Sequence, residues 1–182
     1  MGTLLAAAVA SMLFCAETLR AADTPAASEA QVKAVFLFNF AKYVEWPAAA
    51  FPSAAAPITI GLMGTDPFGG ELQHDVEGKT VNGRTFVIKH IASASELSGC
   101  QILFISDSEA SRLGGILAKA GSLPILTVGE NEAFARNGGI INFVLKNGNV
   151  RLEIDLAAAK KAGLTISSRL LAVADVVKGG AN

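Results

Sequence analysis

The sequence predicts an α/β protein: a single-domain layered sandwich on a mostly parallel sheet, with an antiparallel hairpin near the C-terminal end and helices on both faces. Three observations predict it. Short apolar runs, ITIGLM (58–63), RTFVIKHI (84–91), QILFI (101–105) and PILTV (124–128), alternate with segments of helical spacing, and strands apolar on both faces belong to a sheet covered on two sides. Two further strand-like runs, 140–145 and 150–154, are separated by Lys146-Asn147-Gly148-Asn149, and Asn-Gly is the strongest short-range hairpin signal. The 182 residues are 51% hydrophobic and 17% charged, with a formal net charge of −1, which suits one compact domain with a full core. That balance also leaves no basic run, so the electrostatic footprint of a nucleic-acid or anionic-membrane binder is missing.

The first element is a leader. An uncharged apolar run, 4–16, is followed by small residues, the shape of a secretory signal, and it is too short to span a bilayer. Residues 1–22 read as a signal peptide, cleaved near Ala21 or Ala22 or after Thr18, and 23–182 as the folded domain. A lipid anchor on Cys15 is the rival reading, opposed by the bulky Phe14 before it. Once exported, the chain keeps one cysteine, Cys100, and can close no internal disulfide. Cys100 opens an apolar run and reads as a small buried hydrophobe.

A helix follows. Ser28 with Gln31 forms a capping box, and Val32, Val35, Phe36, Phe40 and Tyr43 recur at helical spacing while Leu37, Phe38, Ala41 and Val44 widen the apolar surface. This spacing predicts a helix buried on most sides and ended by Pro47, then an Ala/Pro loop, 48–57, carrying Phe51. Between the third and fourth apolar runs, Ser106 and Glu109 form a second capping box, Leu113, Ile116, Leu117 and Ala120 line one helical face, and Gly121 stops it. Asp155 caps a short helix ending at Gly163. Ser167 caps a last helix in which Leu170, Val173, Ala174 and Val177 face the core.

The turn after the first strand, Gly61 to Gly70, has the look of a phosphate site, but its glycines fit neither the dinucleotide fingerprint nor the P-loop, whose lysine and hydroxyl residue are also missing. A plainer reading has Asp66 accepting from free amides of the next helical turn and Pro67 at its first position. His74 and His90, the only histidines, lack ligand-spaced Cys, Asp or Glu beyond the ordinary Asp75 and Glu77, so no metal site is expected. No nucleophile elbow is present, and no cofactor motif. The residues best placed to meet a partner or ligand are Trp46, Phe51 and Phe68, large apolar side chains at helix ends or in loops. Asp66 and Arg169 join them, the latter because a cation near a helix start opposes the helix dipole. An α/β sheet also opens a crevice at the carboxyl ends of its strands, where Thr65, Asp66, Phe68, Ser106 and Asp107 are expected.

Several segments together resemble one known family: VKAVFLFNFAKYVEWP (32–47), ITIGLMGTDPFGGEL (58–72), the Gly83-Arg84 pair, CQILFIS (100–106), ILTVGENEAFARNGGIINFV (125–144) and VRLEIDLAAAKKAGLTISSRLLAVADVV (150–177). In order and nearly throughout the mature chain, they are similar to the YfiR family of small exported bacterial proteins. The resemblance implies a non-enzymatic periplasmic α/β regulator that binds and represses the periplasmic domain of an inner-membrane diguanylate cyclase, controlling cyclic di-GMP and biofilm formation. It implies a second partner, an OmpA-like outer-membrane lipoprotein that relieves repression by capturing the regulator. A homodimer is a further candidate assembly, and a periplasmic small-molecule sensor is the alternative function. One departure stands out: the resemblance to the family's founding member implies a paired cysteine at the place of Cys100, and here Gly61 stands in the strand where the partner is expected.

Overall fold

The computed structural model describes residues 28–179; the predicted leader, its cleavage site and Cys15 lie outside them. Helix α1 (Glu29–Tyr43) begins at the expected capping box, with Ser28 accepting from the Gln31 amide and Gln31 reaching back. It ends at Tyr43, four residues before the predicted stop at Pro47, because Val44 and Glu45 leave the helix as a short strand, β1 (Val44–Glu45), paired antiparallel with β8 (Thr165–Ile166). Its buried side also differs from the expectation. Lys33, Ala34, Leu37, Phe38, Phe40 and Ala41 face inward, whereas Val35 is 47% exposed.

The main sheet is built from β2 (Ile58–Met63), β3 (Phe86–Ile91), β4 (Ile102–Ile105), β5 (Leu126–Gly129), β6 (Ile141–Lys146), β7 (Asn149–Asp155) and β9 (Ala174–Val177). Their order is β3-β2-β4-β5-β6-β7-β9. The first five run parallel, β6 and β7 form the antiparallel hairpin, and β9 returns parallel to β7. Asn147 (φ 53°) and Gly148 (φ 74°) occupy the two turn positions, where a two-residue hairpin needs positive φ at both and any β-branched residue would be strained. Strands β2, β4 and β5 are buried along their whole length, as strands covered on both faces must be. The predicted run at 84–91 instead forms an edge strand, Phe86–Ile91, with Val87, Lys89 and His90 exposed.

Helices α1, α2 (Glu71–Val76), α4 (Leu156–Lys161) and α5 (Ser168–Leu171) pack with one apolar cluster centred on Phe40, Phe68, Phe104 and Ile60. Helix α3 (Leu113–Ala120) covers the other face with Leu113, Ile116 and Leu117 against Leu103 and Ile105. Each fully buried aliphatic of this kind contributes roughly 1.5–3 kcal/mol. Three local readings change. Ser106 caps a 3-10 helix, Asp107–Arg112, that precedes α3, and Glu109 pairs with Arg112 rather than closing a box. Asp66 accepts from the Phe68 amide at 2.7 Å in a local turn, while α2 starts later, behind Gly70, with no side-chain cap. The last predicted helix is only four residues long; Val173 is 60% exposed, and 174–177 is strand β9, as its Val-Val pair favours.

Candidate functional site

The corner where α1 gives way to β1 gathers three of the five candidate residues. Trp46 is half-buried and its indole N–H donates to the Gln101 carbonyl at 3.1 Å. Gln101 is itself 1% exposed; its side-chain amide donates to Ala50 O at 2.7 Å and its side-chain oxygen accepts from Thr59 N at 2.8 Å. One buried amide therefore ties the loop after α1 to the start of β2 and β4, with its polar atoms satisfied as burial demands. Phe51 closes the loop. The Arg84 guanidinium lies 3.8 Å from its ring centroid, a cation–π contact, and donates to Ala56 O at 2.6 Å and Ser53 O at 3.0 Å. Between these side chains lies a cleft of about 180 Å³ lined by Trp46, Phe51, Arg84, Glu45, Asn82 and Val81. Arg169 is exposed on α5, directly after β8 and so beside the same corner, where Ser167 N donates to Tyr43 O at 2.9 Å.

Asp66 and Phe68 lie at the opposite end, beyond the carboxyl end of β2. Here β2 is flanked by β3 and β4, the switch point where such sheets hold ligands. Phe68 is 2% exposed and packs edge-on to Phe104 with centroids 5.0 Å apart, so its ring belongs to the core. Asp66 is exposed. The loops close on one another: Thr65 N donates to Ser108 Oγ at 2.9 Å, and the Asn131 side chain donates to Asp107. From α1, Lys33 reaches Glu130 at 2.7 Å and also pairs with Glu29. Burial alone would lower the Lys33 ammonium, but its hydrogen bonds and charge pairing with the two carboxylates outweigh this and hold it above its ordinary value. What remains open at this end is a shallow polar depression along Asp107, Glu130, Glu132 and Arg136.

The chemistry available at the aromatic corner is that of binding. Two aromatic faces and a fixed guanidinium suit a planar or apolar molecule with one anionic group. Sequence reading singled out Trp46 and Phe51 as candidates from their size and loop position; it did not single out Gln101 or the contacts of Arg84 with Phe51, Ser53 and Ala56, because none of these is local in the chain. Lys33 did leave a signal, a lysine among apolar residues of a buried helix. Cys100 is 4% exposed, and its thiol donates to Ile102 O at 2.9 Å. Burial pushes that thiol up to about 11. Among the described residues no group of three or more His, Cys, Asp or Glu is placed to hold a metal, and no helix is long and apolar enough to cross a membrane.

A family model described as YfiR/HmsC-like matches residues 30–175, from the start of α1 into β9. The chain belongs to the YfiR/HmsC-like family. Proteins of this family are non-catalytic periplasmic regulators. No curated protein matches the chain. Among solved structures, a conserved domain protein from Vibrio cholerae O1 biovar El Tor shares the fold, with 13% identity over 83% of this chain and a TM-score of 0.55. The YfiR/HmsC-like chain spans 60% of that protein's length. An ABC domain from Streptococcus pneumonia, solved in complex with L-Trp, is similar at 15% identity, with a TM-score of 0.49 over 66% of this chain and 55% of that one.

Proposed function

We propose that this protein is an exported sensor that works by binding alone: a small aromatic or apolar metabolite seats in the corner cleft, and its occupancy sets the surface offered to a protein partner. The observation that carries this reading is the cleft itself, in which Trp46, Phe51 and the fixed Arg84 guanidinium converge at the end of α1. Trp46 is the chain's single tryptophan, so its fluorescence reports occupancy directly. The test is a thermal-shift and fluorescence screen with amino acids and vitamins. A ligand at a hundred times its dissociation constant stabilises the fold by about 2.7 kcal/mol, and Phe51→Ala should remove both the shift and the fluorescence change. A broad panel that moves neither signal sinks this reading.

The partner we infer is the periplasmic domain of an inner-membrane diguanylate cyclase, which the protein holds inactive until an OmpA-like outer-membrane lipoprotein captures it. Family membership supports this circuit, and a ligand that changes the corner would bias repression through linkage. Deleting the gene should raise cyclic di-GMP and biofilm formation. Unchanged cyclase output in the deletion strain overturns the repression reading and leaves ligand binding standing.

A further inference from the structure

Gln101 is a polar residue at the head of the apolar run that becomes β4, and it is 1% exposed. Its main chain is already fully used. The amide donates to Thr59 O at 3.0 Å, and the carbonyl accepts from Leu126 N at 2.8 Å and from the Trp46 indole at 3.1 Å. The side chain adds a second set of bonds, to Ala50 O and from Thr59 N. Such bonds fix distance and direction, which apolar contacts in the same place would leave loose.

The loop that Gln101 holds buries little of its own. Among residues 48–57 only Ala50, Ala56 and, in part, Phe51 and Pro57 are withdrawn from solvent. The carbonyls of the two buried alanines are each taken by one distant side chain: Gln101 Nε2 donates to Ala50 O at 2.7 Å, and the Arg84 guanidinium to Ala56 O at 2.6 Å. The bonds from Ala50 N to Pro47 O, Phe51 N to Ala48 O and Ala56 N to Ser53 O stay inside the segment and fix only its local turns. Phe51 therefore sits between two clamps, the nearer of them one residue away. Gln101 reaches both aromatic walls of the cleft, Trp46 through its carbonyl and Phe51 through Ala50, yet it does not itself line the cleft.

We propose that, with the corner read as a ligand cleft, Gln101 is its positioning residue: the side chain pins the 3-10 turn Ala48–Ala50 and so sets the spacing of Phe51 from Trp46, and with it what the cleft admits. Gln101 acts on a ligand only through Phe51. Without its amide the turn is released, Phe51 leaves Trp46 part of the time, and a ligand that needs both rings binds only the fraction still closed.

Acrylamide quenching of Trp46, the single tryptophan, tests the assignment on the purified chain with no ligand present. Gln101→Glu keeps the length and the acceptor for Thr59 N but has no amide donor for Ala50 O, and Gln101→Met removes both bonds. Each should raise quenching toward that of Phe51→Ala. The double variant Gln101→Met/Phe51→Ala should be quenched no more than Phe51→Ala alone, since both changes open the same wall. Leu117→Ala, a truncation in the apolar cluster under α3, should destabilise the fold and leave quenching at the wild-type value, which separates positioning from lost stability. Benzoate, a planar anion of the kind the cleft suits, should shield Trp46 in the wild type and bind about tenfold more weakly to Gln101→Glu, the loss expected when one molecule in ten holds the turn in place. In the labelled wild type the Gln101 side-chain amide protons should exchange slowly by NMR, a measurement that stands even if a variant does not fold. Quenching unchanged in both Gln101 variants, quenching that adds in full to that of Phe51→Ala, or rapid exchange of those amide protons overturns the proposal. Failure of benzoate and of the wider panel to bind overturns the sensor reading instead, and the ligand-free quenching then reports on Gln101 by itself.

Discussion

Gly61 and Cys100 touch across neighbouring parts of the sheet. A Cβ added at Gly61 would stand 2.9 Å from Cys100 Sγ, 3.0 Å from Ile91 Cγ1 and 3.2 Å from Leu103 Cδ1, in an interior packed too tightly to give way cheaply. Gly61→Ala should therefore destabilise by about 1–3 kcal/mol, read from the urea midpoint. Gly61→Cys faces the same crowding while reduced, but its new thiol would lie at bonding reach of Cys100, and oxidation should restore stability by about 2–4 kcal/mol. A reduced and oxidised Gly61→Cys chain with equal midpoints refutes this geometry. Of this pair, the burial of Cys100 was legible in the apolar run it opens. The contact with Gly61 was visible only through the family resemblance, because sequence periodicity carries no distance between strands.

Among the elements, α4 and β9 depend on a single side chain. Asp155 ends β7, caps α4 through two backbone amides and receives the Gly179 amide just beyond β9. A cap alone contributes about 1 kcal/mol, and leaving the part-buried Gly179 amide unpaired adds about 1–3 kcal/mol. Asp155→Ala should thus cost more than an ordinary cap, about 2–4 kcal/mol, and raise amide exchange in both α4 and β9. Protection lost in α4 only would show that the Gly179 bond contributes nothing. The cap was readable from Asp155 preceding an Ala-rich helical segment; β9 was not. Leu170, Val173, Ala174 and Val177 satisfy helical spacing on paper, but the β-branched valines and the free edge of β7 favour a strand. The hairpin was predicted correctly because Asn147-Gly148 specifies its own backbone geometry, with no help from distant residues.

At the scale of the whole molecule, one sheet joins two apolar clusters, and each face carries a group that resists alkali. Lys33 ties α1 to Glu130 beyond β5, on the face of α1, and Cys100 lies in the cluster under α3. Both pKa values are raised in the folded state. Above the unfolded thiol's value the unfolded chain binds fewer protons than the native one, so stability falls as pH rises. The Cys100 contribution is complete below about pH 9 and is lost by about pH 11, amounting to roughly 2–3 kcal/mol; Lys33 extends the loss to higher pH. Cys100→Ala should flatten the first part of this alkaline decline in urea-denaturation midpoints, and an unchanged slope would remove Cys100 from the account. Composition, periodicity and turn chemistry determined the fold class, the buried strands β2, β4 and β5, the hairpin and the caps at Ser28, Asp155 and Ser167, because each depends on residues a few positions apart. The tertiary structure alone decided which side of α1 faces inward, that Phe68 is core, that β9 is a strand, and that Trp46, Phe51 and Arg84 share one cleft. Those outcomes depend on which distant surfaces meet, and packing energy between remote segments leaves no local trace in the order of residues.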